Sequence, residues 1–260
     1  MKSLALAAAV ALSLCLLSAG CGKPAVSGGD AAALDQYAAA LAAHRALDGI
    51  DAAAVYDFNW TASWGAGSEH DVTDYLVMCP GGVNKLAYLD MTQDMVNAGQ
   101  SYHGLIRRGY LDFDGGYAYA ENVPAPDDTS GGAASKQKVQ MEDGADYLSD
   151  LWLPEVSDLT GAALAQNADG SGTLTADCVA LTSHYTVQGT VKLVNINKFS
   201  AVIKDGQIIS ITKEMAADST NDDGSAMTLH YKTAVAFQNI GKPVTVTLPD
   251  LSAYTEVGAN

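Results

Sequence analysis

Basic residues are scarce in this chain: 14 Lys and Arg stand against 30 Asp and Glu, a formal net charge of −16 over 260 residues. So acidic a surface repels nucleic-acid phosphates and anionic lipid headgroups, which excludes nucleic acid as a partner and electrostatic docking on an anionic bilayer. Only four cysteines are present, and none has the CxxC or CxxH neighbour that a zinc site needs. The five histidines, His44, His70, His103, His184 and His230, form no HxxxH or HExxH pair. His70 lies between Glu69 and Asp71, a set read as a polar turn. A nucleophile elbow is missing as well, because Ser171 in Asp169-Gly170-Ser171-Gly172 has the wrong spacing and no apolar strand before it. Gly131-Gly132 is not followed by the Lys-Ser or Lys-Thr of a phosphate loop. The acidic stretches Asn167–Gly172 and Asp218–Gly224 lack the glycine position or the closing Glu of an EF-hand and read as hairpin turns. Asp112 and Asp114 flank a turn and read as surface charges. No catalytic residue, metal or cofactor is assigned, and the expectation is a protein that is not an enzyme.

The N-terminus, MKSLALAAAVALSLCLLSAGCG, has one positive residue, Lys2, and then an uncharged run from Ser3 to Gly20. That run is shorter than the roughly 20 apolar residues of a membrane span. A charged head, an apolar middle and a small-residue exit describe a signal peptide. The exit Leu17-Ser18-Ala19-Gly20-Cys21 resembles the lipobox of bacterial prolipoproteins, with Ser18 where Leu is commoner. The resemblance implies cleavage after residue 20, a diacylglyceryl group on the Cys21 thiol and further acylation with a chain such as palmitate. Two or three acyl chains suffice for stable anchoring. Gly22 to Gly29, GKPAVSGG, then reads as a flexible tether. The expected organisation is residues 1–20 signal, 21–29 lipidated Cys and tether, and 30–260 a single domain. That domain would sit outside the cytoplasm on the cell membrane, held by the lipid on Cys21. Removal of Cys15 and lipidation of Cys21 leave Cys79 and Cys178. In an oxidising compartment they are expected to form a disulfide, the alternative being two separately buried thiols.

Periodicity supplies the rest. Asp30 to Asp48 is Ala-rich, with Leu34, Tyr37, Ala38, Leu41 and Arg45 spaced as one helical stripe; Asp30 can cap it and Gly49 can end it. Tyr56, Phe58, Trp60, Ala62 and Trp64 then alternate with polar residues, which predicts a half-buried antiparallel strand with its aromatics on one face. Strands are predicted over Val72–Cys79, Val83–Met91, Leu105–Phe113, Tyr117–Glu121 and Lys136–Met141. Residues 122–135 read as a loop. Tyr147 to Gln166 reads as two short helices broken at Pro154, the second capped by Ser157. Thr173–Leu181, Thr190–Asn195, Ser200–Lys204, Gln207–Lys213 and Met227–Phe237 follow as strands, with Asp205-Gly206 a tight hairpin turn. A last short strand runs through Val244, Val246 and Leu248. The order predicts an α+β fold, one curved antiparallel sheet left open as a half-barrel and covered by helices on its concave side.

The C-terminal words VIKDGQIISITKEM and MTLHYKTAVAFQNIGKPVTVTLPDLSAYTEV, with the middle hairpin GYLDFDGGYAYAE, resemble the superfamily of LolA/LolB carriers and LppX/LprG lipoproteins. The likeness is architectural over nearly all of residues 31–256, and none of its words is a catalytic signature. It implies an open half-barrel that holds an apolar ligand such as a lipid between sheet and lid. Tyr56, Phe58, Trp60 and Trp64 would line the concave side, and Tyr147, Leu151 and Trp152 would form part of the lid. Plain core packing is the alternative for each of these positions. Three functions stay open. One is a non-enzymatic carrier of an apolar ligand, another a ligand-free domain that docks an envelope protein or senses, and the third an enzyme without a known motif. A large aromatic-lined cavity favours the first, an exposed apolar patch the second, and a cleft with several perturbed ionisable groups the third.

Overall fold

The protein is described from a computed structural model covering residues 30–97, 100–123, 134–142, 145–185, 190–220 and 224–257. The signal segment, Cys21 and the tether lie outside the described residues. Helix α1 (Asp30–Arg45) opens the domain and is followed by β1 (Gly49–Ala62), β2 (Gly65–Met78), β3 (Leu86–Asn97), β4 (Gln100–Asp112), β5 (Tyr117–Val123) and β6 (Ser135–Gln140). Two 3₁₀ turns, Ser149–Leu151 and Val156–Asp158, lead into β7 (Leu159–Gln166) and β8 (Gly172–Cys178). The short helix α2 (Leu181–His184) precedes β9 (Thr190–Lys204), β10 (Gln207–Thr220) and β11 (Ala226–Gln238), and β12 (Thr255–Glu256) closes the order.

All twelve strands belong to one open sheet in the order β12-β6-β5-β4-β3-β2-β1-β11-β10-β9-β8-β7. Every pairing is antiparallel except β12 with β6. The edges β7 and β12 do not meet, so the sheet is an α+β half-barrel, as the strand alternation predicts. One face carries the core. Along β11, Met227, Leu229, Tyr231, Thr233, Val235 and Phe237 are buried on it, and along β10 Ile211, Lys213, Met215, Ala217 and Ser219 are. Helix α1 lies on this face with Ala33, Tyr37, Ala40, Leu41 and His44 inward. Tyr37 donates to the Pro154 carbonyl at 2.9 Å and meets the Phe199 ring edge-on at 5.6 Å. Burying Tyr37 and Leu41 stabilises the docked helix by about 2–3 kcal/mol each. Asp205 (φ 51°) and Gly206 (φ 75°) make the expected two-residue turn between β9 and β10, with the left-handed backbone that matches strand twist.

Several expectations need correction. Tyr147–Gln166 contains 3₁₀ turns and strand β7, not two helices. Leu, Ala and Gln favour a helix locally, but the register of Ala163 to Gln166 with Gly172 to Thr175 prevails, with a bulge at Gly161 (φ 60°). Gly49 does not end the helix, which stops at Arg45; it starts β1, where an added Cβ would lie 2.7 Å from Val244 Cβ. Val244, Val246 and Leu248 form no strand. That segment crosses the end of β2 instead, with the Val246 N–H donating to Met78 Sδ at 3.0 Å. Thr190–Asn195 and Ser200–Lys204 are halves of the single strand β9. The strand expected over Thr173–Leu181 ends at Cys178.

Cys79 and Cys178 are both buried free thiols here, in place of the expected disulfide. They sit at the ends of β2 and β8, five places apart in the strand order. Five inter-strand steps span about 24 Å along the sheet, whereas bridged Cα atoms lie within about 7 Å. Cys79 Sγ donates to the Leu47 carbonyl at 3.3 Å, and burial raises both thiol pKa values.

Candidate ligand-binding cavity

Side chains on the inner face follow the register. Tyr56, Phe58 and Trp60 of β1 point the same way, opposite Asp71, Glu69 and Gly67 of β2 and opposite Thr233, Tyr231 and Leu229 of β11. Above them lies a cavity of about 810 Å³, open to solvent on one side. Its apolar walls are Phe58, Trp60, Trp64, Met227 and Leu229. Phe58 stacks on Tyr231 with centroids 4.4 Å apart, and Tyr231 stacks on Tyr185 at 4.8 Å. Trp60 and Trp64 meet at 4.7 Å, with Trp64 58% exposed at the tip of the β1–β2 hairpin. Gly67 explains how Trp60 lies across β2. A Cβ there would collide with the indole Nε1 and come within 2.7 Å of the Val96 carbonyl.

The cavity's other wall is polar, with Glu69, Asp71, Asp146, Ser149, Asp150 and His184 in its lining. A row of paired residues crosses five strands: Gln93 on β3, Asp71 on β2, Tyr56 on β1, Thr233 on β11 and Lys213 on β10. Lys213 has no exposed surface. Its Nζ donates to the carbonyls of Ser149 and Asp150 at 2.9 and 3.0 Å and stands 3.3 Å from His184 Nε2. Burial lowers its pKa to about 8, and burial together with the Lys213 charge lowers that of His184 to about 4. The Tyr75 hydroxyl donates to Asp150 Oδ2 at 2.6 Å, so two sheet residues tie the 146–151 segment down as a wall. Tyr185 and Thr233 share a hydroxyl hydrogen bond of 2.9 Å. The amide of Gln93 donates to Glu69 and, at 3.4 Å, to Asp71 Oδ2. Asp71 Oδ1 is buried without a partner. Burial, with the Glu69 carboxylate beside it, pushes the Asp71 pKa up to about 7.

Of the residues expected at the site, Tyr56, Phe58, Trp60 and Trp64 all line the cavity. Tyr147, Leu151 and Trp152 support it from behind. Tyr147 accepts the Glu142 N–H at 2.8 Å, Leu151 is buried core, and Trp152 stacks on His184 at 4.3 Å. Sequence reasoning missed Glu69, Asp71, Asp150, His184, Tyr185 and Tyr231. Glu69-His70-Asp71 is not a turn: it lies within β2, with His70 on the outer face 2.7 Å from Asp57. The missed signal was strand alternation itself, which puts Glu69, Asp71, Thr73, Tyr75 and Val77 on one face. The acidic stretches Asn167–Gly172 and Asp112–Gly115 are hairpin turns held by Asp169 and Asp112. Asp218–Thr220 belongs to β10, and residues 221–223 lie outside the described residues. Among the described residues, no helix is long and apolar enough to cross a membrane.

No protein-family model and no curated protein matches the chain. Similar solved structures exist at low identity. The lipoprotein LppX of Mycobacterium tuberculosis is 12% identical, with a TM-score of 0.40, and the match covers 84% of this chain and 100% of that one. A DUF1329 family protein from Desulfovibrio piger is 11% identical, with a TM-score of 0.28, covering 84% and 95%. Lipovitellin is 8% identical, with a TM-score of 0.29, covering 78% and 26%. The fold described above rests on the chain's own strand order and register, and the site on its own residues.

Proposed function

We propose that this chain is a membrane-anchored extracytoplasmic lipoprotein that holds a small apolar or amphiphilic molecule in the cavity without converting it. The observation that carries the reading is the cavity of about 810 Å³ walled by Phe58, Trp60, Trp64, Met227 and Leu229. Its volume falls in the range of roughly 300–1,000 Å³ typical of small-molecule sites. Large apolar side chains left around open space forgo packing, and an apolar occupant restores it. The test uses the full chain with Cys21→Ser, purified from an exporting host without detergent, then extracted with solvent and analysed by mass spectrometry. A stoichiometric apolar compound is expected. An empty protein that also ignores an uncharged fluorescent apolar probe would sink the reading and leave the envelope-docking alternative.

The enzyme reading has one observation of its own: Asp71, His184 and Lys213, all with shifted ionisation, stand in or behind one cleft. Against it, the Lys213 ammonium is committed to two backbone carbonyls and His184. Recovery of the bound compound chemically unchanged after long incubation supports binding; a converted product supports catalysis.

Anchoring gives a separate prediction. In the exporting host, labelled palmitate is expected to enter the wild-type chain, whose mature form begins at Cys21. The Cys21→Ser chain is expected to take up none. Equal labelling of both would remove the anchor from the proposal.

A further inference from the structure

We infer that the ligand is a cationic amphiphile, an alkyl or aryl body with a protonated amine or quaternary ammonium head. This rests on the binding reading above and names the chemistry of the occupant. Among the described residues, four carboxylates, from Glu69, Asp71, Asp146 and Asp150, line the cavity beside its apolar walls, and no Lys or Arg does. His184, the one histidine among the described lining residues, is held neutral near pH 7 by burial and by Lys213. The Lys213 ammonium stays outside the cavity, turned to the Ser149 and Asp150 carbonyls. Even with that charge behind the wall and Asp71 counted as protonated, acids outnumber bases among the described residues around the space.

Two further features point to a ligand rather than to surface charge. Asp71 lines the cavity while only 9% exposed, and its Oδ1 accepts no hydrogen bond. A buried carboxylate left partly unpaired is costly, and a cation in the cavity offsets its charge through space, since Oδ1 itself has almost no accessible surface. The Phe58–Tyr231–Tyr185 stack and the Trp60–Trp64 pair also set aromatic faces and edges beside those carboxylates. Aromatic walls with negative charge behind them select alkylammonium groups through cation–π attraction. A fatty-acid carboxylate or a phosphodiester head meets repulsion in the same place.

Three octyl probes separate the outcomes: octyltrimethylammonium, octyl glucoside and octanoate, each titrated against tryptophan fluorescence of the full-length Cys21→Ser chain. Trp60 and Trp64 line the cavity and Trp152 lies behind His184, so all three tryptophans report on it. The ammonium probe is expected to bind at least tenfold tighter than the glucoside, and octanoate more weakly than either. In the double variant Glu69→Gln/Asp71→Asn the preference of the ammonium probe over the glucoside should fall to within about threefold. Equal or tighter binding of octanoate overturns the cationic assignment and leaves the apolar-binder reading standing. A preference that survives in the double variant overturns it too, because the chain's overall acidity then attracts the cation. If none of the three probes binds, the binder reading fails with it.

Discussion

Lys213→Ala is expected to destabilise the domain by about 1–3 kcal/mol, the range for buried acceptors left without their donor. The side chain has no exposed surface and donates to the Ser149 and Asp150 carbonyls, the first of which also accepts the Trp152 N–H at 3.2 Å. Truncation leaves both acceptors with nothing from the sheet, opens a void under the 146–151 wall and releases His184. A urea titration should show the midpoint falling sharply, with a loss of cavity binding as the wall loosens. A loss under about 1 kcal/mol would mean that Lys213 does not hold the wall.

The same residue sets a pH dependence with a defined sign. Its pKa falls from 10.5 to about 8 on folding. Between those values the unfolded chain binds more protons, so stability rises with pH across that window. Below about pH 8 both states are protonated and the burial cost is felt in full, about 3 kcal/mol at 1.36 kcal/mol per unit. Buried tyrosines oppose the trend higher up. Tyr37, Tyr56, Tyr185 and Tyr231 have pKa values raised by burial, so above about pH 10 the unfolded chain releases protons first and stability falls. The buried thiols of Cys79 and Cys178, raised from 9.0, oppose the rise earlier, so wild-type stability should climb from pH 8 and turn down above about pH 9. The Lys213→Ala chain should lack the climb.

How far the molecule could be read from its sequence depends on whether a feature is local. The alternation of Tyr56, Phe58 and Trp60, and of Met227 through Phe237, survives in β1 and β11 because each strand buries one face. The helix stripe through Tyr37 and Leu41 was legible for the same reason. Leu159–Gln166 was not, because its composition suits a helix and only pairing with β8 makes it a strand. The polar row beside the cavity was hidden for a different reason. Gln93, Asp71, Tyr56, Thr233 and Lys213 lie far apart in the chain and meet only through the strand register. One clue was present: Lys213 occupies an inward position in Ile211-Thr212-Lys213-Glu214-Met215, where an apolar residue is the rule. Asp71 breaks the pattern of β2 in the same way. A charged residue at a core position is a site signal that alternation exposes only once the inward face is known.

Asp71→Asn is expected to stabilise the empty protein above neutral pH while weakening the cavity's preference for cations. Folding raises the Asp71 pKa from 3.8 to about 7 through burial and the adjacent Glu69. For an acid shifted upward, the unfolded chain loses its proton first, so stability is lost as pH rises from about 4 to 7. At pH 8 the carboxylate is charged in both states and its burial costs of the order of 2–4 kcal/mol. Asparagine has nearly the same shape, carries no charge and can still accept the Gln93 amide through its carbonyl. Denaturant midpoints of the two chains should therefore coincide near pH 4 and separate progressively to pH 8, the variant being the more stable. The opposite order at pH 8 would mean that the charged form is paired and stabilising in the folded state. A stabilising substitution at a lining residue is what a binding site retained against stability predicts. The wild-type carboxylate costs stability while the cavity is empty, and a bound cation offsets that cost. Adding saturating octyltrimethylammonium should accordingly raise the wild-type midpoint more than that of Asp71→Asn. The two stability curves at pH 8 should then draw together as ligand fills the wild-type cavity.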